Sequence, residues 1–306
     1  MNIADNGCKA FRETEDRLSM LDERNSYLMK ELAALEARVR TLESTPQPPQ
    51  KELLFFDDFS GYPTGAPLPE NIYITDAPPH HVAVELVGSK NVVMCDIRKK
   101  QALNPNGHCK SEFRLRDPDV TSFKETLREP FNERRWYTWT QYLAEPWMDD
   151  IHKTHLMDMH GSPDEGEGGR HPNVTLLAWH GEHRIRISTA PGATMTELYR
   201  QPPVLTGRWV RVTMEAIWSP TTRGLLRVWI DDNLVAERVD QPTAFEDQRG
   251  PYGKWGLYAP SLSRNNLPEY GDDYPDDWAH TLYIGEIMIG SGDVYGSKDE
   301  FLAARP

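Results

Sequence analysis

From Lys9 to Ser44 no Gly or Pro interrupts the chain, and apolar residues recur at alternating spacings of three and four. With Phe11 as an a position, a and d fall on Phe11, Thr14, Leu18, Leu21, Asn25, Leu28, Leu32, Leu35, Val39 and Leu42, and eight of these ten are apolar. A seam sustained this long predicts a parallel coiled coil, with residues 1–45 as an oligomerisation and attachment stalk. Asn25 would pin the register by pairing with its own copies. Arg38 at g and Glu43 at the following e flank Val39 and Leu42, a pattern of three-stranded coils in which the Arg stem covers the seam. The expectation is a homotrimer through residues 11–44, ahead of a dimer or a single helix lying on the rest of the protein. Pro46, Pro48 and Pro49 then end the helix and make residues 46–51 a stiff linker.

Beyond the linker the period changes to two. Val82, Val84 and Leu86 alternate with Ala83 and Glu85, and Ser111, Phe113 and Leu115 with Glu112 and Arg114. Val210, Val212, Met214 and Ala216 share one face, as do Leu226, Val228 and Ile230. Each run predicts a half-buried strand, and Asp231-Asp232-Asn233 between the last pair of runs predicts a tight hairpin. With many strands and no alternation of strand and helix, residues 52–306 are expected to form one all-β domain, a two-sheet antiparallel sandwich.

Charge narrows the partners. The 306 residues carry 34 basic and 47 acidic side chains, a net charge of −13, which argues against nucleic acid and anionic membrane surfaces as general partners. No stretch approaches the roughly 18 apolar residues of a spanning helix, so no membrane insertion is expected. The first seventeen residues are charged where a secretory leader needs an apolar run, so synthesis in a cytoplasm without a signal peptide is expected. Cys8, Cys95 and Cys109 show no zinc-type spacing; Cys95 and Cys109 lie near enough in sequence to bridge, but read as buried free thiols.

Candidate chemistry centres on Met157-Asp158-Met159-His160-Gly161, followed by Arg170 and Asn173. Together with Cys109-Lys110-Ser111-Glu112-Phe113, Glu133-Arg134-Arg135-Trp136-Tyr137, Tyr252-Gly253-Lys254-Trp255-Gly256-Leu257-Tyr258 and Tyr283-Ile284-Gly285-Glu286-Ile287, this segment resembles the polysaccharide lyase superfamily of heparin lyase I and the glucuronan and alginate lyases. The resemblance spans most of residues 53–290 and implies a concanavalin-like β jelly roll. It also implies β-elimination at a uronic acid, in which a base removes the proton beside the carboxylate, a cation or amide neutralises that carboxylate, and an acid protonates the leaving oxygen. It makes His160, Lys254 and Tyr258 the catalytic residues and Lys110, Glu112, Arg135 and Asn173 substrate-binding residues. Independently of the family, residues two apart share a strand face, which aligns Lys254, Gly256 and Tyr258. The chain departs from the family at Asp158, where Gln is common; an anion there is expected to repel a substrate carboxylate and raise the pKa of His160.

No cofactor and no transition-metal site is expected. The loop from Glu269 to Trp278 offers carboxylates of the kind Ca²⁺ takes and aromatics suited to sugar stacking, but it lacks EF-hand spacing and reads as a solvated acidic loop. His80, His81, His152, His155, His171, His180 and His183 are scattered and read as surface or hydrogen-bonded residues. A coil, a Pro-rich hinge and a glycan-recognising sandwich together resemble a bacteriophage tail fibre, tailspike or head fibre. That resemblance implies a virion protein exposed outside the cell, joined to other virion proteins at its N-terminus and to host surface polysaccharide by its sandwich. A non-catalytic fibre, decoration protein or adhesin and a cytosolic lyase stay open beside it.

Overall fold

The computed structural model describes residues 25, 28–30, 32, 53–65, 68, 72–74, 81–99, 107–115, 127–147, 152–161, 163–190, 192, 194–263, 266, 269 and 273–306. The chain divides into two compact units, Met1–Lys51 and Glu52–Pro306. In the first, Asn25, Leu28, Met29, Lys30 and Leu32 are helical and exposed; the remainder of the predicted coil and the Pro-rich linker lie outside the described residues. Among the described residues, no helix is long and apolar enough to cross a membrane.

The second unit is a sandwich of two antiparallel sheets. Its strands are β1 (Leu53–Asp57), β2 (Ile72–Ile74), β3 (His81–Val87), β4 (Lys90–Arg98), β5 (Cys109–Leu115), β6 (Arg134–Leu143), β7 (Thr154–His160) and β8 (Val174–Trp179). They continue with β9 (Glu182–Ile187), β10 (Thr196–Gln201), β11 (Trp209–Ile217), β12 (Leu225–Ile230), β13 (Asn233–Val239), β14 (Tyr252–Ala259) and β15 (Ala279–Ser291). The first sheet runs β13-β12-β11-β6-β15-β4-β3, and the long β15 also pairs with β1 along its second half. The second sheet runs β10-β9-β8-β7-β14-β5-β2.

The period-two pattern sets which side chains meet between the sheets. Val210, Val212, Met214 and Ala216 from β11, Leu226 and Val228 from β12, and Phe113 and Leu115 from β5 are all buried in one core. Trp255 stacks on Phe113 at 6.2 Å and meets Trp139 edge-on at 6.3 Å, so β14 is anchored to both sheets through its inward face. Asp231 and Asp232, with φ of 47° and 68°, make the predicted tight turn between β12 and β13. Leu86 departs from expectation: it is 57% exposed, near the end of β3, the last strand of its sheet. Cys95 and Cys109 are buried free thiols, and burial pushes the Cys109 thiol up to about 12. A second, smaller apolar cluster of Trp136, Met288, Tyr295 and Phe301 forms where the short helix α1 (Lys298–Ala303) packs at β6.

Candidate active site

Strands β5, β14 and β7 lie side by side, and their register builds the site in rows. Tyr258 pairs with Lys110 on one side and with His155 on the other. Lys254 pairs with Arg114 and with Asp158, and Tyr252 pairs with His160. The inward residues of β14, Trp255 and Leu257, are core, which turns Lys254, Gly256 and Tyr258 to the outer face. A register shift between His155 and Met157 makes Leu156 the extra residue of β7. Leu156 and Met157 both enter the core, so His155, Asp158 and His160 share the outer face.

These residues line one groove of about 580 Å³ with His108, Lys153, Arg170 and His171. Its lining carries four basic side chains, Lys110, Lys153, Arg170 and Lys254, and two carboxylic side chains, Glu112 and Asp158. The acidic chain thus concentrates local positive charge where a polyanion would lie. A second concavity, on the outer face of the other sheet around Trp209 and Arg211, holds no histidine; there Asp231 accepts the Arg211 amide, and Arg305 pairs with Glu286.

His160 donates its Nδ1 hydrogen to the Gly161 carbonyl at 2.6 Å, since a carbonyl only accepts, and the lone pair is left on Nε2. Burial and then the nearby Lys254 ammonium push His160 down to about 4, so the ring is a neutral base near pH 7. Asp158 does act upward on His160, as expected, but burial and Lys254 outweigh it. Both oxygens of the Asp158 carboxylate lie 3.0 Å from His155 Nδ1, which donates to them. Burial would raise Asp158, but His155 and Lys254 outweigh it and hold the group below the carboxylate range. Burial likewise pulls on Lys254, yet Glu112, Tyr252 and Asp158 keep it above the ordinary lysine value. Burial is the main cause that raises the Tyr258 phenol, whose oxygen lies 3.4 Å from His108 Nδ1. A phenol so held keeps its proton near pH 7 and can give it to a leaving oxygen.

Of the sequence-predicted residues, the groove brings together His160, Lys254, Tyr258, Lys110 and Glu112, the last two paired at 3.5 Å. Arg135 is not among them. It stands on β6 in the other sheet, held by Glu133 at 2.8 Å and Glu129 at 3.4 Å. Burial, opposed by that guanidinium, pushes Glu129 up to about 7. Asn173 is 1% exposed and lies behind Gly161, where a side chain on the glycine would strike its amide oxygen, so it supports the groove wall from inside. Arg170 ties that wall down by bonding Asp247 and Glu167. Sequence reading missed His155, Lys153, His108 and His171 as groove residues.

The acidic loop also differs from expectation. Tyr274 and Trp278 are buried and pack on each other at 5.0 Å, so they offer no stacking face to a sugar, and Asp273 bonds His152. Among the described residues, one group of carboxylates, Asp164, Glu167 and Asp247, is close enough to share a metal, and Arg170 already bonds the latter two.

The burial of His160 predicts an acid-sensitive stability. The unfolded chain takes up this proton near the ordinary 6.5 and the folded chain only near about 4, so the stabilisation is full above the first value and is lost as pH falls to the second. Integrated, the shift amounts to on the order of 3 kcal/mol. In denaturant titrations from about pH 7 to about pH 4.5, His160→Gln should show a shallower fall of stability than the wild type.

A two-sheet sandwich with a neutral imidazole, a protonated phenol and ammonium groups along one open groove defines a class, that of jelly-roll proteins equipped for acid–base chemistry on a chain-like polar ligand. The family model described as polysaccharide lyase matches residues 79–287, and the chain belongs to that family. No curated protein matches it in sequence. Among solved structures it is similar to the endo-β-1,4-glucuronan lyase of the fungus Trichoderma reesei, with 17% identity and a TM-score of 0.57 over 78% of this chain and 95% of that one. It is also similar to a truncated AlyQ with CBM32 and alginate lyase domains, at 12% identity and a TM-score of 0.51 over 72% of this chain and 60% of that one. At these identities the likeness establishes the shared fold.

Proposed function

We propose that the chain binds an acidic polysaccharide in the groove and cleaves it by β-elimination at uronic acid residues. The observation that carries this reading is that His160, Lys254, Tyr258 and Lys110 all line one groove built on three paired strands. His160 Nε2 takes the proton next to the carboxylate, and Lys254 and Lys110 stabilise the negative charge that moves onto that carboxylate. The electron pair then forms the carbon–carbon double bond and expels the glycosidic oxygen, which receives the Tyr258 proton. Uronates, the acids named by the similar glucuronan and alginate lyases, fit the excess of cations. Incubation with a panel of uronate polymers tests the reading, since elimination leaves an ultraviolet-absorbing unsaturated sugar on each new chain end.

We further propose that the protein works as a homotrimer on a bacteriophage virion, in a tail or head fibre, with host surface polysaccharide as its target. The support is the heptad seam, of which Leu28 and Leu32 are 55% and 51% exposed on the single chain. Three weak glycan sites on one stalk would raise the effective concentration at a repetitive surface. Light scattering should give three times the mass of one chain, and Leu28→Glu with Leu32→Glu should lower it. A monomeric wild type would contradict the trimer while leaving the lyase reading untouched.

A further inference from the structure

The outer face of the first sheet, on the other side of the sandwich from the groove, carries an aromatic row. Val210, Leu143 and Leu282 turn into the core, so their neighbours Trp209, Tyr142 and Tyr283 turn outward, and all three are partly exposed. The register aligns them: Trp209 pairs with Tyr142, and Tyr142 with Tyr283, with ring centroids 5.6 and 6.0 Å apart. The next outward row is polar, because Thr140 pairs with Arg211 on one side and Glu286 on the other. A register shift in β15 puts Gly285 between the two rows. A side chain there would stand 2.6 Å from Thr140 Oγ1 and 3.0 Å from the benzo edge of Trp209. The bare glycine thus leaves room for the indole to reach across β6, where it borders the concavity of about 520 Å³.

We propose that this face is a second, non-catalytic glycan-binding site, which takes neutral hexose units of a polysaccharide with one sugar ring stacked on Trp209. A pyranose has an apolar C–H face and a rim of hydroxyls, which an aromatic row beside a polar row complements. Neighbouring strands lie about 4.8 Å apart, close to the advance of one ring along an extended 1,4-linked chain, so successive sugars can follow the aromatic row. Charge favours a neutral occupant. The carboxylates of the concavity are already held, Asp58 by Ser60, Asp231 by Arg208, Asp232 by Lys298 and Glu286 by Arg305. The Arg211 guanidinium still has hydrogen to give, since its Nε has no acceptor among the described residues, and it is the donor to the hydroxyl rim. A second copy of the chain fits less well: among the described residues Val210 is the one aliphatic side chain of the lining, whereas the centre of a protein interface is apolar. The site goes beyond the lyase reading and stands whether or not the groove cleaves; holding a neutral stretch of polymer on one face would raise its effective concentration at the other.

The test titrates two neutral 1,4-linked sugars, cellohexaose and mannohexaose, calorimetrically into the full chain carrying Tyr258→Phe, with and without saturating glucuronate oligosaccharide. At least one neutral sugar should bind, and glucuronate should not displace it. Trp209→Ala should weaken that binding about tenfold and Trp209→Phe by less, because it keeps a smaller ring. In the chain with Tyr258 intact, cleavage of short uronate oligosaccharides should be the same with and without Trp209→Ala. Should Trp209→Ala fail to fold, Trp209→Phe and the displacement experiment, which needs no change at Trp209, still decide. Binding of neither neutral sugar, equal binding in the Trp209 variants, or displacement by glucuronate overturns the proposal. So does a fall in mass by light scattering in Trp209→Ala, which would make the face a contact between copies. Loss of neutral-sugar binding in Trp209→Ala, in a protein that releases no unsaturated sugar, supports this site and overturns the lyase reading alone.

Discussion

Tyr258→Phe should abolish release of unsaturated sugar, with kcat lowered by about 10²–10⁴-fold, while the protein folds normally and still binds its polysaccharide. The change removes one oxygen and keeps the ring against His155 and His108, whose centroids lie 5.4 and 5.7 Å away, so packing is preserved. The lost hydroxyl is the group placed to protonate the leaving oxygen, and its raised pKa means that it carries the proton at neutral pH. Substrate binding rests on the cations of the groove and is left intact. A large rise in KM with unchanged kcat would instead mark Tyr258 as a binding group only.

Gly256→Ala should be the most damaging small substitution for the architecture of the site. Gly256 has a φ of 132°, which L side chains rarely adopt, and a methyl group there would run into the carbonyl oxygen of Ser111 on the neighbouring strand. The strand pair β5–β14 must separate to admit it, and that pair carries Lys110, Lys254 and Tyr258. Strain and lost ladder bonds together should cost about 3 kcal/mol or more, read as a fall of the melting temperature by several degrees and a loss of activity beyond the unfolded fraction. The same methyl at Gly168, where nothing lies within 4 Å, is the control and should be silent.

Much of the sandwich was legible because strand alternation and burial share one cause. The runs at 210–216 and 226–230 are buried in one core, and the turn at Asp231 and Asp232 uses the left-handed backbone that Asp tolerates. The face carrying Lys254 and Tyr258 was readable by the same count. His155 was not, because strict alternation back from Asp158 and His160 sets it on the core side, and only the extra residue Leu156 returns it to the groove. A bulge leaves no mark in composition; the adjacent apolar pair Leu156 and Met157 is the one trace of it in the sequence.

Arg135 was misplaced for a related reason. A charged residue beside a matching motif says nothing about which sheet its strand joins, and the carboxylates that hold it, Glu129 and Glu133, lie close in sequence without a spacing that announces the pairing. The upward effect of Asp158 on His160 was legible, but the net downward shift was not, because burial and the Lys254 charge, both unseen in sequence, oppose it and are larger. Nothing in the sequence of the acidic loop marks Tyr274 and Trp278 as buried, where they pack on each other and Trp278 meets His280.

The central claim is that this groove performs elimination on a uronate polymer. Its most direct test is the chemistry of the new chain ends when the purified full-length protein is incubated with glucuronan, alginate and heparin-type polymers. The account predicts shortened chains whose new non-reducing ends carry an unsaturated, ultraviolet-absorbing uronate, with no water incorporated at the cleaved bond. Shortened chains with saturated ends, or polymers bound in the groove but left at full length, would contradict it.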